Sequence, residues 1–302
     1  MRCNKQPSNL GSSETTREAP LIDFDFHLYF QTAQPTHIKI KDSQFLQWFI
    51  GFSEGDGSFI VSKNQCSFVI NQKEIALLYN IRTRLGFGKV TLYTQNGLTY
   101  GRYHVQCKKN CVRLAYLFAG NLVLKKTNFR FAKWSAVLQP FLLQEQKLKL
   151  KRRPVINLTN GWLSGFINAD GGFYTRIRKN ARMKIGYQVI RKFILTQADE
   201  LETLEQIKYL LSSTSKVQTI LNKNQSESIY YKLEVSSIKS NDLLLNYLAQ
   251  YPNLGRKQVI IKVYKRLHGY IQRKEHLISA KFVKIQKLCF QLKKHNAYFN
   301  VV

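Results

Sequence analysis

The sequence predicts an α+β protein made of two pseudo-symmetric halves, each running αββαββα. Two observations predict it. Trp48, Gly51, Phe52, Asp56, Gly57 and Phe59 recur as Trp162, Gly165, Phe166, Asp170, Gly171 and Phe173, at a constant offset of 114 (162 minus 48). The match is too dense for chance, so one unit is used twice. After each copy the apolar pattern changes from helical spacing to strand alternation, and the same series of elements follows.

Each copy reads as a helix. In the first, Phe45, Trp48, Phe49 and Phe52 form an apolar stripe, while Gly51 and Gly55 lie one turn apart on another side. Gly165 and Ala169 hold the corresponding places in the second. Small residues four apart let two helix backbones come close, so these four are the expected helix interface. Gly57 and Gly171 are expected to end the helices through left-handed caps. Strands follow at 58–63 and 66–72, a helix at 74–85, strands at 88–94 and 98–107, a helix at 110–119 and another carrying Phe129, Lys133 and Trp134. The second half repeats this with strands at 172–179 and 185–197, a helix at 199–212, strands at 215–222 and 229–237, and helices at 239–249 and 257–268. The chain therefore divides into an N-terminal arm (1–42), a first half-domain (43–139), a linker (140–160) and a second half-domain (161–302). Lys147, Lys149, Lys151, Arg152 and Arg153 make the linker basic, and Ile278, Phe282, Ile285, Leu288 and Leu292 give the second half an amphipathic helical tail.

Composition restricts the partner. The 302 residues are 44% hydrophobic, which is globular, yet the net charge is +29 and the pI about 10.0. A polyanion is the expected partner. The basic residues are spread along the chain and no apolar run approaches the ~18 residues of a membrane span, so nucleic acid is favoured over a membrane. Five cysteines without a CxxC pair offer no disulfide framework. His104, Cys107 and Cys111 lack a fourth ligand at zinc-like spacing and read as packing residues. Glu14, Glu18, Asp23 and Asp25 make the arm unlike a secretory signal or an Arg-rich transit peptide; it reads as a flexible arm or the remnant of an upstream reading frame.

The chemistry lies at the ends of the repeated helices. Asp56 and Asp170 fall in a last turn, where the macrodipole is negative and an acidic side chain costs roughly 0.3 to 1 kcal/mol. The same local violation occurring twice points to function. If the helices pair in parallel, the carboxylates arrive side by side and suit a divalent metal with oxygen ligands and water, Mg²⁺ being the natural candidate. Strand alternation supplies a second surface. Tyr174, Arg176 and Arg178 face one way and Phe173, Thr175 and Ile177 the other, and Lys192, Ile194 and Thr196 continue the polar face. Ser58, Ile60 and Ser62, then Lys89, Thr91 and Tyr93, then Arg102, His104 and Gln106 form the first-half set. Lys216 and Gln218, then Tyr230, Lys232 and Glu234, complete the second. A twisted sheet with such a face suits the major groove of duplex DNA.

Two further landmarks repeat. The stretch from Phe68 to Gln72 parallels that from Phe193 to Gln197, and Leu124, Lys125 and Lys126 parallel Gly255, Arg256 and Lys257. With the nonapeptides Phe49 to Gly57 and Leu163 to Gly171, these features resemble the LAGLIDADG homing endonucleases of the single-chain, two-motif type, over roughly residues 43 to 295. The first copy departs in starting with Phe49 and in having Glu54 where the second has Asn168; neither is the metal position.

The resemblance implies four-stranded antiparallel saddles and a monomer with an internal pseudo-two-fold. It implies cleavage of both strands of a long, imperfectly palindromic DNA site across the minor groove, leaving short 3′ overhangs. Two or three Mg²⁺ ions, replaceable by Mn²⁺, would be held by Asp56 and Asp170 with Gly55 and Ala169, while Gln72, Gln197, Lys126 and Lys257 complete the catalytic set. It also implies encoding in a mitochondrial or chloroplast intron, and it carries an alternative: a maturase that assists folding of its intron RNA, with or without DNA cleavage. A silent DNA-binding repressor is disfavoured because both aspartates are intact.

Overall fold

The computed structural model describes residues 23–32, 35, 42–142, 148, 153–220 and 228–300. In chain order its elements are α1 (His27–Gln31), α2 (Ser43–Asp56), β1 (Gly57–Ser62), β2 (Gln65–Gln72), α3 (Ile75–Leu85), β3 (Lys89–Gln95), β4 (Leu98–Val105), α4 (Lys108–Phe118) and α5 (Lys125–Ala136). The second half repeats the series with α6 (Trp162–Asp170), β5 (Gly172–Lys179), β6 (Tyr187–Ala198), α7 (Leu201–Leu210), β7 (Gln218–Ile220), β8 (Tyr230–Val235), α8 (Ile238–Gln250) and α9 (Gly255–Gln272), and ends in α10 (Ser279–Asn300). The αββαββα series is thus followed by one more helix, α5, in the first half and by two, α9 and α10, in the second.

Each half carries one four-stranded antiparallel sheet, ordered β1-β2-β4-β3 and β5-β6-β8-β7. The registers are equivalent: Phe59 pairs with Phe68, and Phe173 with Phe193. These phenylalanines point away from the polar face into an aromatic cluster. Phe59 lies 5.2 to 5.4 Å from the rings of Phe68, Phe118, Phe131 and Trp134, so strands one and two are welded to α4 and α5. In the second half Phe173 meets Phe193 and Tyr264 of α9 at 5.3 and 4.9 Å. Such pairs contribute about 0.5 to 1.5 kcal/mol each beyond the area they bury. The helices therefore cover one face of each sheet and leave the other open.

Three expectations are corrected. Gly57 and Gly171 do not form left-handed caps; both are extended (φ −85 and −73) and run straight into β1 and β5. Glycine is needed there because a Cβ at Gly57 would lie 2.5 Å from Ser53 O, and one at Gly171 2.7 Å from Ile167 O. The described part of the arm is packed, with Phe26 and Tyr29 buried and Asn121 exchanging hydrogen bonds with Asp25 N and O. An aromatic run, Phe24, Phe26, Tyr29 and Phe30, outweighs the acidic residues around it. In the second half the strand expected at 215–222 is short, so Lys216 precedes β7; Gln106 likewise follows β4. Linker residues Lys147, Lys149, Lys151 and Arg152 lie outside the described residues.

Candidate active site

Helices α2 and α6 pack with almost no space between their backbones. A Cβ on Gly51 would lie 2.0 Å from Trp162 O, and one on Gly165 1.8 Å from Trp48 O, a reciprocal contact that only glycine permits. One turn later, a Cβ on Gly55 would lie 2.4 Å from the Ala169 Cβ and 2.7 Å from Asp170 Oδ2. The small residues thus do more than join the helices. They bring the two C-terminal ends together and let the Asp170 carboxylate lie over the end of α2. Asp56 and Asp170 are the last residues of their helices, as the sequence predicts.

Each aspartate receives a glutamine amide. Gln72 Nε2 donates to Asp56 Oδ2 and Gln197 Nε2 donates to Asp170 Oδ2, both at 2.5 Å. The glutamines reach inward because they share the parity of the core residues Phe68 and Ile70, or Phe193 and Leu195, whereas the polar face belongs to the alternate residues. Lys126 Nζ donates to Gln197 Oε1 at 2.8 Å, extending the chain to three side chains. Lys257 Nζ instead donates to Gly171 O at 2.5 Å. A cavity of about 270 Å³ opens over this group, lined by Asp56, Gln72, Glu74, Asp170, Tyr174, Lys257 and Asn296 among others.

The electrostatics are those of a site short of cations. Burial, and then the neighbouring Asp170 charge, push the Asp56 carboxyl up to about 7, against Lys257 and Gln72. Asp170, which keeps one side open to the cavity, is also raised, chiefly by loss of water, against Gln197, Lys126 and Lys257. Burial lowers both lysines, Lys257 to about 8 despite the carboxylates of Asp56, Asp170 and Glu74 around it. Among the described residues no group of three or more His, Cys, Asp or Glu gathers. A metal here would rest on two carboxylates, main-chain oxygens and water, a donor set for a hard divalent cation that keeps part of its hydration.

The sequence profile of LAGLIDADG endonucleases matches residues 49–138 and 163–268, once over each half. The chain belongs to this family. A relative from Neurospora crassa named probable intron-encoded endonuclease 4 is 31% identical over 237 residues, 75% of this chain and 41% of that protein. Intron-encoded RNA maturase bI4 of Saccharomyces cerevisiae is 28% identical over 205 residues, 63% of this chain and 30% of that protein. The chain therefore spans less than half of either relative. Among solved structures, the LAGLIDADG meganuclease I-AabMI bound to uncleaved DNA superposes with TM-score 0.61 at 25% identity, covering 80% of this chain and 97% of that one. I-SmaMI bound to cleaved DNA gives TM-score 0.65 at 20% identity over 83% and 97%, a likeness of fold.

On the open sheet faces of this LAGLIDADG chain, the expected residues share one side. Lys89 pairs with His104, Thr91 with Arg102 and Tyr93 with Tyr100, and the Tyr93 ring stacks on Tyr100 at 5.6 Å with Arg102 5.0 Å above it. Desolvation, then Lys89 and Arg102, lower the His104 pKa. In the second half Tyr174, Arg176 and Arg178 are exposed, opposite Lys192, Ile190 and Gln188. Glu234 is held between Lys192 and Lys232, which together hold its carboxyl below the usual range. Ser58, Ile60 and Ser62 on β1, and Ile194, Thr196, Gln218 and Tyr230 in the second sheet, lie on the same open side.

Sequence reasoning missed four groups. Asn71 accepts from Arg102 Nε at 3.0 Å on the open face of β2. Asn296, in the amphipathic tail, lines the cavity and donates to Phe173 O at 2.7 Å. Glu54 accepts from Val123 N, Leu124 N and Trp162 Nε1, and its counterpart Asn168 accepts from Leu254 N. The sixth motif position thus fixes the approach to each lysine-bearing helix. Glu74 and Glu200 bond across to the other half, and an acid soon after each glutamine was the available signal.

Proposed function

We propose that this chain is a site-specific endonuclease that cuts both strands of duplex DNA at a long, imperfectly palindromic site by Mg²⁺-dependent phosphodiester hydrolysis. The observation that carries the reading is the pair of aspartates, each with its glutamine, brought together by α2 and α6 between two open cationic sheet faces. The DNA bound to I-AabMI and to I-SmaMI supports the same partner.

Asp56 and Asp170, with main-chain oxygens of Gly55 and Ala169, would hold two or three divalent ions, and Mn²⁺ would replace Mg²⁺. Bound there, the ions supply water acidified toward neutral pH and neutralise charge at the leaving 3′ oxygen. Gln72 and Gln197 orient the carboxylates and the water beside them. Lys126 and Lys257 face the negative charge that develops on the phosphate; with its pKa near 8, Lys257 also exchanges a proton easily around neutrality. The two sheet faces carry different side chains, so the two half-sites differ in sequence. The protein acts as a monomer, because its internal repeat supplies both halves.

Binding of intron RNA, as the name of the maturase relative suggests, is an additional activity the basic surface would support. Relatives from Schizosaccharomyces pombe named for cox1 introns favour a mitochondrial over a chloroplast intron as the coding location. Cleavage of a randomised DNA library with Mg²⁺, beside an Asp56→Asn, Asp170→Asn double variant, tests the reading. Enriched cut ends that vanish in the variant are expected. A folded wild type that cuts nothing while binding structured intron RNA overturns it in favour of the maturase.

A further inference from the structure

Two carboxylates outside the set above reach from each half into the other. Glu74, just ahead of α3, accepts Arg256 N of α9 on both oxygens, at 2.9 and 3.0 Å. Glu200, just ahead of α7, accepts Lys126 N of α5 at 3.1 Å and is steadied by Thr203 Oγ1 at 2.9 Å. The amides they hold belong to the first turn of a helix, where N–H groups lack intrahelical partners and a negative charge is favoured. A second observation marks the contact as built. Gly255 has φ +64, and a Cβ on it would lie 2.4 Å from Glu74 Oε1, so the chain keeps glycine where the carboxylate docks.

The amide held is that of Lys126 itself in one case and of the residue before Lys257 in the other. Each lysine helix is thus anchored twice at its start: by the motif helix of its own half, through Glu54 or Asn168, and by a glutamate of the opposite half. The first anchor sets where the helix begins. The second lies on the side of the aspartates: Lys126 Nζ reaches Gln197, the partner of Asp170, and Glu74 lines the cavity with Asp56, Gln72 and Lys257.

We propose that Glu74 and Glu200 are positioning residues that fix Lys257 and Lys126 respectively across the interface between the halves, so that the cut in each DNA strand depends on a glutamate and a lysine from opposite halves. This rests on the endonuclease reading.

The test uses the full chain and the target recovered with the wild type, labelled separately on each strand, with single-turnover rates measured for both. Glu74→Ala is expected to slow, by roughly tenfold to a hundredfold, the same strand that Lys257→Met slows, and to leave the other within about twofold. Glu200→Ala should match Lys126→Met in the same way. Nicked circles should then accumulate from supercoiled plasmid, which a general folding defect would not produce. Glu74→Asp and Glu200→Asp keep the charge and shorten the reach, and carry the same expectation should an alanine variant fail to fold. Glu→Gln at either position retains an acceptor oxygen and should recover most of the lost rate. Equal slowing of both strands, a glutamate matched to the lysine of its own half, or unchanged rates overturns the proposal. A wild type that yields no cut target overturns the endonuclease reading instead.

Discussion

At the scale of the residue, the most consequential number is the pKa of Asp56, raised from 3.8 to about 7. A carboxyl raised in the folded state keeps its proton there while the unfolded chain has already lost it. The metal-free protein therefore loses stability as pH rises from about 4 through 7, with Asp170 and Glu54, both raised, adding to the same trend. A divalent ion competes with that proton, so Mg²⁺ should raise Tm more at about pH 8 than at about pH 6. Asp56→Asn should shrink this difference, abolish cleavage and spare DNA binding; a variant that still cuts both strands would remove Asp56 from the mechanism. Glu54 shares the direction but differs in its partners. Burial pushes it up to about 7, but its three partners are all donors, which suits the anion. Glu54→Gln turns an amide N–H toward one of them and should cost roughly 1 to 3 kcal/mol, read as a lower Tm. The aspartates and glutamines were legible in the sequence because residue type and local spacing repeat. Glu74 and Glu200 were not paired because the offset changes between them. It is 125 at the glutamines (197 minus 72) but 126 at the glutamates (200 minus 74), the additional residue being accommodated where Asp199 turns left-handed at φ +59.

At the scale of the element, the same logic separates what periodicity reveals from what it cannot. Strand alternation identified the open face, and the turns carry their own signals: Lys63 and Asn64, then Asn96 and Gly97, have positive φ at the two hairpin corners of the first half. What ends α2 and α6 was misread, since Asp-Gly looks like a left-handed stop but here glycine removes a clash with the preceding turn. Local sequence does not encode which neighbour a missing Cβ would meet. The helix pair gives a direct check. Gly51→Ala would place a methyl 2.0 Å from Trp162 O, backbone that cannot swing aside, and should cost about 1 to 3 kcal/mol or more. Gly165→Ala should do the same, and the double variant should be non-additive because both sites open one interface. An unchanged Tm would contradict the close approach. On β5, Arg176→Ala should relax specificity at one or two base pairs, by roughly 1 to 3 kcal/mol if the guanidinium reads a base edge. Uniform weakening on every sequence would make it a phosphate contact.

At the scale of the whole molecule, a charge of +29 on 302 residues must be reconciled with the sequence selectivity proposed above. Phosphate attraction is indifferent to sequence and screened by salt, so a selective enzyme has to keep some cations occupied until a base replaces their partner. In the second sheet Glu234 holds Lys192 and Lys232, while in the first Lys89 pairs with His104 and Arg102 lies over the Tyr93 ring. The Lys192–Glu234 contact joins residues 42 apart in the chain, which is why the outward residues of the second sheet could be read from the sequence but their pairing could not. It also makes a measurable claim. Affinity should fall linearly in log salt, with a slope near −0.9 per neutralised phosphate. Glu234→Gln releases two lysines, and the slope should steepen by about one for each that then meets a phosphate. If instead the slope stays fixed while discrimination at one half-site declines, both lysines stand over bases, and Glu234 serves to aim them rather than to restrain their charge.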